Sequence, residues 1–341
     1  MTEIGYHARP LAVTSCFILV LASAAPPLAD GIEGPPRVER LSTNLIITPQ
    51  MLPGNDGTNI NGPSLIRVPA WAQNPLGKYY LYFAHHKGQY IRLAYADKLD
   101  GPWKVHEPGT LKLEETICDS ISNPDVAKDK HVASPDVQVD ERARQIRMYF
   151  HCPAYISGSP EAQDSYRQVS LVATSTDGRH FDAREEPLGS SYFRVFRWRG
   201  ATYALGMPGI FYRSADGLGG FVEGPTVFTR DMRHSAVTVQ GSTLFVFYSV
   251  VGENPERILL SRIDLNPDWM AWKEDEPVVV LEPDREWEGA SLPKKPSVRG
   301  WAPHRVRQLR DPAIFEDGDR TYLLYSVAGE SGIAIAEVHW P

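Results

Sequence analysis

The amino-acid sequence predicts an all-β fold, a five-bladed β-propeller, and three observations predict it. After residue 40 helical periodicity is nearly absent, and apolar residues either alternate with period two or fill short continuous runs. Proline and glycine, 28 and 27 in number, cut these runs into strand-length pieces. One unit then recurs along the chain: a short strand, a turn, a long aromatic-rich strand, a third strand, and a turn carrying Asp-Gly with an aromatic. Short strands repeated at a fixed spacing are the mark of a propeller.

The copies can be read in order. The first is GPSLIRVP, KYYLYFAHH and QYIRLAYADKLDGPW; the second is SPDVQVD, QIRMYFHC and QVSLVATSTDGRHF. The third is YFRVFRWRG, TYALGMP and GIFYRSADGLGGF; the fourth is HSAVTVQGS, TLFVFYSVVGE and RILLSRIDLNPDWMAW. The fifth, DPAIFEDGD, RTYLLYSVAGE and GIAIAEVHW, lacks an outer strand because the chain stops at Pro341. Leu41–Thr48 is expected to supply that strand beside Gly332–Val338 and so close the ring. A β-sandwich would not repeat its turns at blade spacing, as Ser175-Thr176-Asp177-Gly178 and Ser214-Ala215-Asp216-Gly217 do.

Ahead of the repeats, Arg9 precedes the apolar run Leu11–Ala25, with small residues around Ala24 and Ala29. That pattern predicts a cleaved secretory signal over residues 1–29, a propeller domain over 30–341, and an exported protein, periplasmic or extracellular. The run is short of the roughly 20 apolar residues that span a bilayer, so no membrane anchor is expected. A net charge of −7 argues against nucleic acid as a partner. Cys118 and Cys152 remain after cleavage, free or paired, and no zinc-ligand spacing is present. The expected state is a monomer.

In a propeller the first strand of each blade lines the central channel. The five blade starts read Asn61-Gly62-Pro63-Ser64, Ala133-Ser134-Pro135-Asp136, Ser191-Tyr192-Phe193-Arg194, Arg233-His234-Ser235-Ala236 and Arg310-Asp311-Pro312-Ala313. A shared polar pocket explains Asn61, Asp136, Arg194, Arg233, His234, Arg310 and Asp311 at such positions. His85, His86 and His151 follow the apolar second strands directly. Adjacent strand residues point to opposite faces, so one of His85 and His86 should face the pocket while the other turns away.

Arg310–Ser326 and Ser134–Phe150 resemble blades of the five-bladed glycosidases of glycoside hydrolase family 43 and their levanase- and invertase-like relatives. The likeness rests on Asp-Pro at an inner strand, then an apolar pair, an acidic turn and an aromatic strand. It extends over the chain after the signal. That resemblance implies a carbohydrate substrate and three acids: an Asp base on the first blade, a second Asp, and a Glu acid on the third. Hydrolysis by inversion needs two carboxylates about 6.5–9.5 Å apart. This sequence has Asn61-Gly62-Pro63 on the first blade, Asp136 after its proline on the second, and Tyr192-Phe193-Arg194 on the third. Only Asp311 matches the motif.

The expected function is therefore a secreted, exo-acting, glycosidase-like enzyme. Its catalytic candidates are Asp136, Asp311, His85, His86 and His234; its substrate-binding candidates are Asn61, Arg194, Arg233, Arg310 and His151. Arginine and histidine suit an acidic sugar, since a guanidinium pairs with a uronate carboxylate. Elimination across a uronate by a polysaccharide lyase is the alternative, and a non-catalytic glycan-binding propeller the third reading, with Trp71, Trp198, Trp287 and Trp301 stacking on sugars. No dedicated metal loop is evident, which leaves a structural cation on the propeller axis as an open point.

Overall fold

A computed structural model describes residue 1 and residues 34–120, 127–155 and 166–341. The predicted signal segment lies outside the described residues. Five antiparallel sheets form the five blades of the propeller. Strand β1 (Arg37–Arg40) comes first in the chain and belongs to the last blade. Blade 1 holds β2 (Asn61–Arg67), β3 (Tyr79–Ala84), β4 (Arg92–Ala96) and β5 (Lys104–His106). Blade 2 holds β6 (Ala133–Asp140), β7 (Gln145–Tyr155) and β8 (Tyr166–Ser175), with two short pieces, β9 (Asp182–Ala183) and β10 (Gly189–Ser190), along β8. Blade 3 holds β11 (Arg194–Trp198), β12 (Ala201–Gly206), β13 (Ile210–Ser214) and β14 (Val222–Thr226). Blade 4 holds β15 (Met232–Gln240), β16 (Thr243–Val250), β17 (Ile258–Asp264) and β18 (Val278–Leu281). Blade 5 holds β19 (Arg310–Asp317), β20 (Arg320–Ser326) and β21 (Ile333–His339), completed by β1.

The continuous apolar strands follow from this arrangement. Each sheet is packed on both faces, so both sets of alternating side chains are buried. On β3, Tyr79, Leu81 and Phe83 meet Phe315 and Leu324 of blade 5, while Tyr80 and Tyr82 meet Met148 and Phe150 of blade 2. The same division repeats around the ring, giving one apolar cluster between each pair of neighbouring blades. The recurring Asp-Gly turn belongs to this packing. Gly178 and Gly217 sit at φ +74° and +79°, and their carbonyls accept hydrogen bonds from the Tyr82 and Tyr149 hydroxyls of the preceding blades, at 2.8 and 2.9 Å. A β-carbon at either glycine would meet that hydroxyl.

The ring is closed by an N-terminal strand, but a few residues earlier than expected. Arg37–Arg40 pairs antiparallel with Ala336–His339, whereas Leu41–Thr48 continues irregularly, through Leu41 N–H to the Ile335 carbonyl at 3.2 Å, Ile46 N–H to the Ile333 carbonyl at 3.0 Å and a bridge between Ile47 and Ile333. The Asn44 side chain explains the break. Its amide donates to the Leu41 and Ile335 carbonyls, at 3.0 and 2.8 Å, and its oxygen accepts from Ile335 N–H at 2.9 Å. A side chain thus takes the bonds that a continuing strand would have made.

Cys118 and Cys152 form a disulfide, tying the turn at Ile117–Ser120 to β7. Between β18 and β19 a long excursion crosses the end of the ring and buries Glu288 completely. Glu288 accepts two hydrogen bonds from Arg40, at 2.8 and 2.9 Å, and one from the Tyr325 hydroxyl at 3.0 Å. This pair fastens the closing strand. Glu288→Ala, which strands Arg40 without its carboxylate, should lower stability by about 3–5 kcal/mol, read from urea unfolding midpoints. An unchanged midpoint would mean that the β1 ladder alone closes the ring.

Candidate functional site

The inner strands of four blades are interrupted by the same irregularity near their starts, and it builds the mouth of the channel. Pairing shifts between Asn61 and Ser64, Ala133 and Asp136, Met232 and Ser235, and Arg310 and Ala313. Within these bulges Gly62, Ser134 and Asp311 have φ of +58°, +50° and +48°, and Tyr192 on blade 3 has +63°. A left-handed residue in a bulge re-aims the side chains around it. The residues at this level are Gly62, Ser134, Tyr192, Arg233 and Asp311, so only one carboxylate is among them. Asp136 and Arg194 lie two residues further along their strands.

A cavity of about 170 Å³ opens at this mouth. His86, His131, His151, His234 and Tyr192 line it, together with Asn61, Ser134, Gln168, Arg233, Arg299 and Gly300. The rings run in an arc. His131 and His151 have centroids 5.7 Å apart, His151 and Tyr192 4.3 Å, and Tyr192 and His234 5.0 Å.

Behind the arc stand buried charges. Arg310 lies 3.2 Å from Glu256 and 2.9 Å from Glu330, and Arg233 lies 3.5 Å from Glu256. Both arginines donate to the Gly300 carbonyl, at 3.0 and 3.1 Å. Glu330 also accepts from the Asn59 amide and from the Asn61 amide at 3.3 Å, and is 3.9 Å from His86 Nδ1. His234 Nδ1 is 3.2 Å from Asp311 Oδ1. Two pocket histidines are thus each backed by a carboxylate that itself lies outside the lining.

Burial decides the protonation states. Desolvation pushes His86 down to about 4, and His151 and His234 well below the usual imidazole value, with further repulsion from neighbouring histidines and arginines. All three are neutral at neutral pH. Tyr192 is pushed up to about 12 by burial and by Asp311, so its hydroxyl stays protonated. Asp311 is raised to about 7 by burial and by Glu330. The pocket therefore offers neutral bases and one retained phenol proton. The buried Asn61 Oδ1, His151 Nδ1 and Asp311 Oδ2 find no hydrogen-bond partner among the described residues.

Of the residues expected from the sequence, Asn61, His86, His151, Arg233 and His234 line the cavity, and Asp311 touches it through His234. His85 does not line it: its Nδ1 accepts from Lys87 N–H at 2.9 Å, so it fastens the turn while His86 enters the pocket. Asp136 Oδ2 accepts from Val195 N–H at 2.8 Å and from Gln138 at 3.3 Å, a clip between blades 2 and 3. Arg194 is buried, donating to the Ser235 carbonyl at 2.7 Å and the Pro135 carbonyl at 3.2 Å. Arg310 is buried in the charge cluster. These four are held by contacts within the scaffold rather than presented to the cavity. Sequence reasoning missed His131, Tyr192, Gln168, Glu256 and Glu330. Glu330 had a visible signal, because it ends YSVAGE, the near-copy of YSVVGE in blade 4. Among the described residues no cluster of three or more His, Cys, Asp or Glu side chains is arranged to hold a metal ion, and no helix is long and apolar enough to cross a membrane.

No family model matches the chain. An uncharacterized protein of Acanthamoeba polyphaga mimivirus is 36% identical over 328 residues, covering 88% of this chain and 90% of that protein. The chain belongs to that protein's family. The fold is that of the five-bladed glycoside hydrolase propellers. A protein of Bacteroides ovatus provisionally assigned as a glycoside hydrolase superposes with a TM-score of 0.60 at 12% identity, over 90% of this chain and 97% of that one. A family-43 enzyme of Xanthomonas citri, solved with xylose, gives 0.54 at 12% identity over 88% and 89%. At such identity the likeness is one of fold, and the site must speak from its own residues.

Asp311 gives a pH test of the buried pair. Its raised value means that the folded protein binds this proton more tightly than the unfolded chain, whose carboxyl titrates near 3.8. The associated stability is fully present below about 4 and is lost as pH rises through about 7. Asp311→Asn cannot ionise, so wild type should lose stability relative to this variant as pH rises across that window, measured by paired thermal melts. A relative gain would show that Asp311 is ionised in the fold.

Proposed function

We propose that this protein is an exported carbohydrate-active enzyme that cleaves the glycosidic bond of a terminal sugar, with histidine carrying the acid–base chemistry. The observation behind the reading is the cavity of about 170 Å³, room for about one sugar ring, walled by four histidines and Tyr192. A pocket with room for about one ring suits exo-action. The unpartnered Asn61 oxygen and His151 nitrogen suit a polyhydroxylated ligand, whose hydroxyls can donate to them. The apolar run before Ala25 and the Cys118–Cys152 disulfide support export to an oxidising compartment, the periplasm or the cell exterior.

In this reading a water attacks the anomeric carbon and gives its proton to His86 or His234, oriented by Glu330 and Asp311. The glycosidic C–O bond breaks, Tyr192 protonates the leaving oxygen, and the proton held by the imidazole restores the phenol. Burial keeps the imidazoles unprotonated and so free to accept a proton, at reduced basicity, and a phenol held near 12 is matched to a departing alkoxide rather than to water. Asn61, His151 and Arg233 face the bound sugar. Asp136, Arg194 and Arg310 act through the scaffold.

A second reading of the bond-breaking step has an observation in its favour: among the described residues no Asp or Glu lines the cavity, while Arg233 and Arg299 do. A pair of carboxylates astride the bond, as hydrolysis ordinarily uses, has no counterpart there. Elimination across a uronate needs what is present. A base takes the C5 proton, the electron pair forms the C4–C5 double bond, the C4–O bond breaks, and Tyr192 protonates the released oxygen.

A panel of neutral and acidic oligosaccharides, followed both for new reducing ends and for the ultraviolet absorbance of an unsaturated uronate, separates the two chemistries. His86→Gln and Tyr192→Phe should each lower turnover by about 100- to 10,000-fold with binding retained. Asp136→Asn should change stability and leave turnover within a few-fold. If neither substitution affects the turnover of any glycan that is cleaved, the histidine mechanism is wrong. If glycans bind and none is cleaved, the protein is a binding propeller.

A further inference from the structure

Four tryptophans are candidates to stack on sugars, and the structure separates them. Trp71, Trp198 and Trp287 pack against the clusters between blades, and the first two donate their indole N–H to Glu141 and to the Leu265 carbonyl, at 2.8 and 3.0 Å. Trp301 packs in none of these clusters and is 39% exposed. Val298, three residues before it, is 68% exposed. Between them Arg299 and Gly300 line the pocket, so the backbone that carries the two exposed apolar side chains runs along its rim.

The segment is not loose. Arg233 donates to the carbonyls of Val298 and Gly300, at 3.3 and 3.0 Å, and Arg310 to that of Gly300 at 3.1 Å. Ala302 N–H donates to Glu330 at 3.4 Å, and Ser297 N–H to the Glu253 carbonyl at 3.0 Å. Buried, nearly fully paired charges therefore fix a segment that presents an indole and an isopropyl group to water. Exposed apolar surface held rigid beside a polar pocket is what a binding rim requires, since no ordering entropy is spent on contact.

We infer that Trp301, with Val298, is the platform for a second sugar: the residue next to the terminal ring lays its apolar C–H face on the indole. The substrate is then an oligosaccharide or polysaccharide chain end, and a free monosaccharide or a simple glycoside forfeits this contact. The pocket has volume for one ring, and the rim is continuous with it through Arg299 and Gly300, which makes a chain extending outward the occupant that fits. This rests on reading the pocket as a sugar site, and the experiment distinguishes the two.

Wild type and Trp301→Ala are compared on immobilised oligosaccharides of the bound type at chain lengths one, two and three, with Trp301→Phe as the conservative variant. Expected is a wild-type affinity that rises from one sugar to two, a roughly tenfold loss in Trp301→Ala confined to two sugars and longer, and partial rescue by Phe. Binding of the single sugar should not change. On a cleaved substrate the loss should fall on KM with kcat held. Equal losses at every length, or no loss, would overturn the platform while leaving the pocket reading intact. If no glycan of any length binds, both fall. A wild-type dimer that Trp301→Ala converts to monomer would assign the patch to self-association and overturn the inference.

Discussion

Arg310 is 1% exposed and bridges Glu256 and Glu330, and the placement of the groups at the channel mouth follows from that bridge. Two guanidiniums and two carboxylates meet there, so the cluster is close to neutral, and each member is costly to leave unpaired in a medium of low dielectric. Through Glu256 it holds Arg233; through Gly300 it holds the rim segment; through Glu330 it reaches Asn59, Asn61 and His86 on blade 1. Blades 1, 4 and 5 are thereby locked at one end of the channel by buried ion pairs, while blades 2 and 3 are clipped to their neighbours by single hydrogen bonds such as Asp136 to Val195 N–H and Arg194 to the Ser235 carbonyl.

The same cluster sets the electrostatics of the pocket. Glu330 helps push Asp311 up, and Arg233 and Arg310 help keep His234 neutral. Desolvation is the first cause in both cases. A site assembled in this way presents neutral imidazoles, a phenol and amides to its ligand, with Arg233 and Arg299 as the lining cations and the carboxylates Glu256, Glu330 and Asp311 behind the wall. That suits recognition of hydroxyl groups and transfer of single protons, because neither His86 nor Tyr192 must be stripped of a strong counter-ion before it acts.

Blade packing explains why the pocket is small. Each sheet is buried on both faces, the inner strands converge, and Asp136, Gln138 and Arg194 cross between neighbouring inner strands below the mouth. These crossings separate the cavity at the mouth, at the level of Ser134, Tyr192 and Arg233, from the space further along the inner strands. Functional side chains collect where the ladder is broken, since a bulge frees a residue from pairing and turns its neighbours toward the axis.

The sequence by itself determined the blades, because a period of two with Gly and Asp turns is a local property that each strand writes independently of its neighbours. KYYLYFAHH, MYFHC and the two Asp-Gly turns were legible for that reason, and so was the need for an N-terminal strand in the last blade. The tertiary structure decided which residues share a mouth. His85 and His86 are adjacent in sequence, yet only the turn at Lys87 shows which enters the pocket; Asp136 and His234 look equivalent as blade starts, yet the bulges put them at different depths. Glu256 and Glu330 sit in turns and read as solvated acids until Arg310, from another strand, withdraws them from water. Side-chain depth and charge pairing depend on how blades are set against one another, and that distance in space is not written in any one repeat.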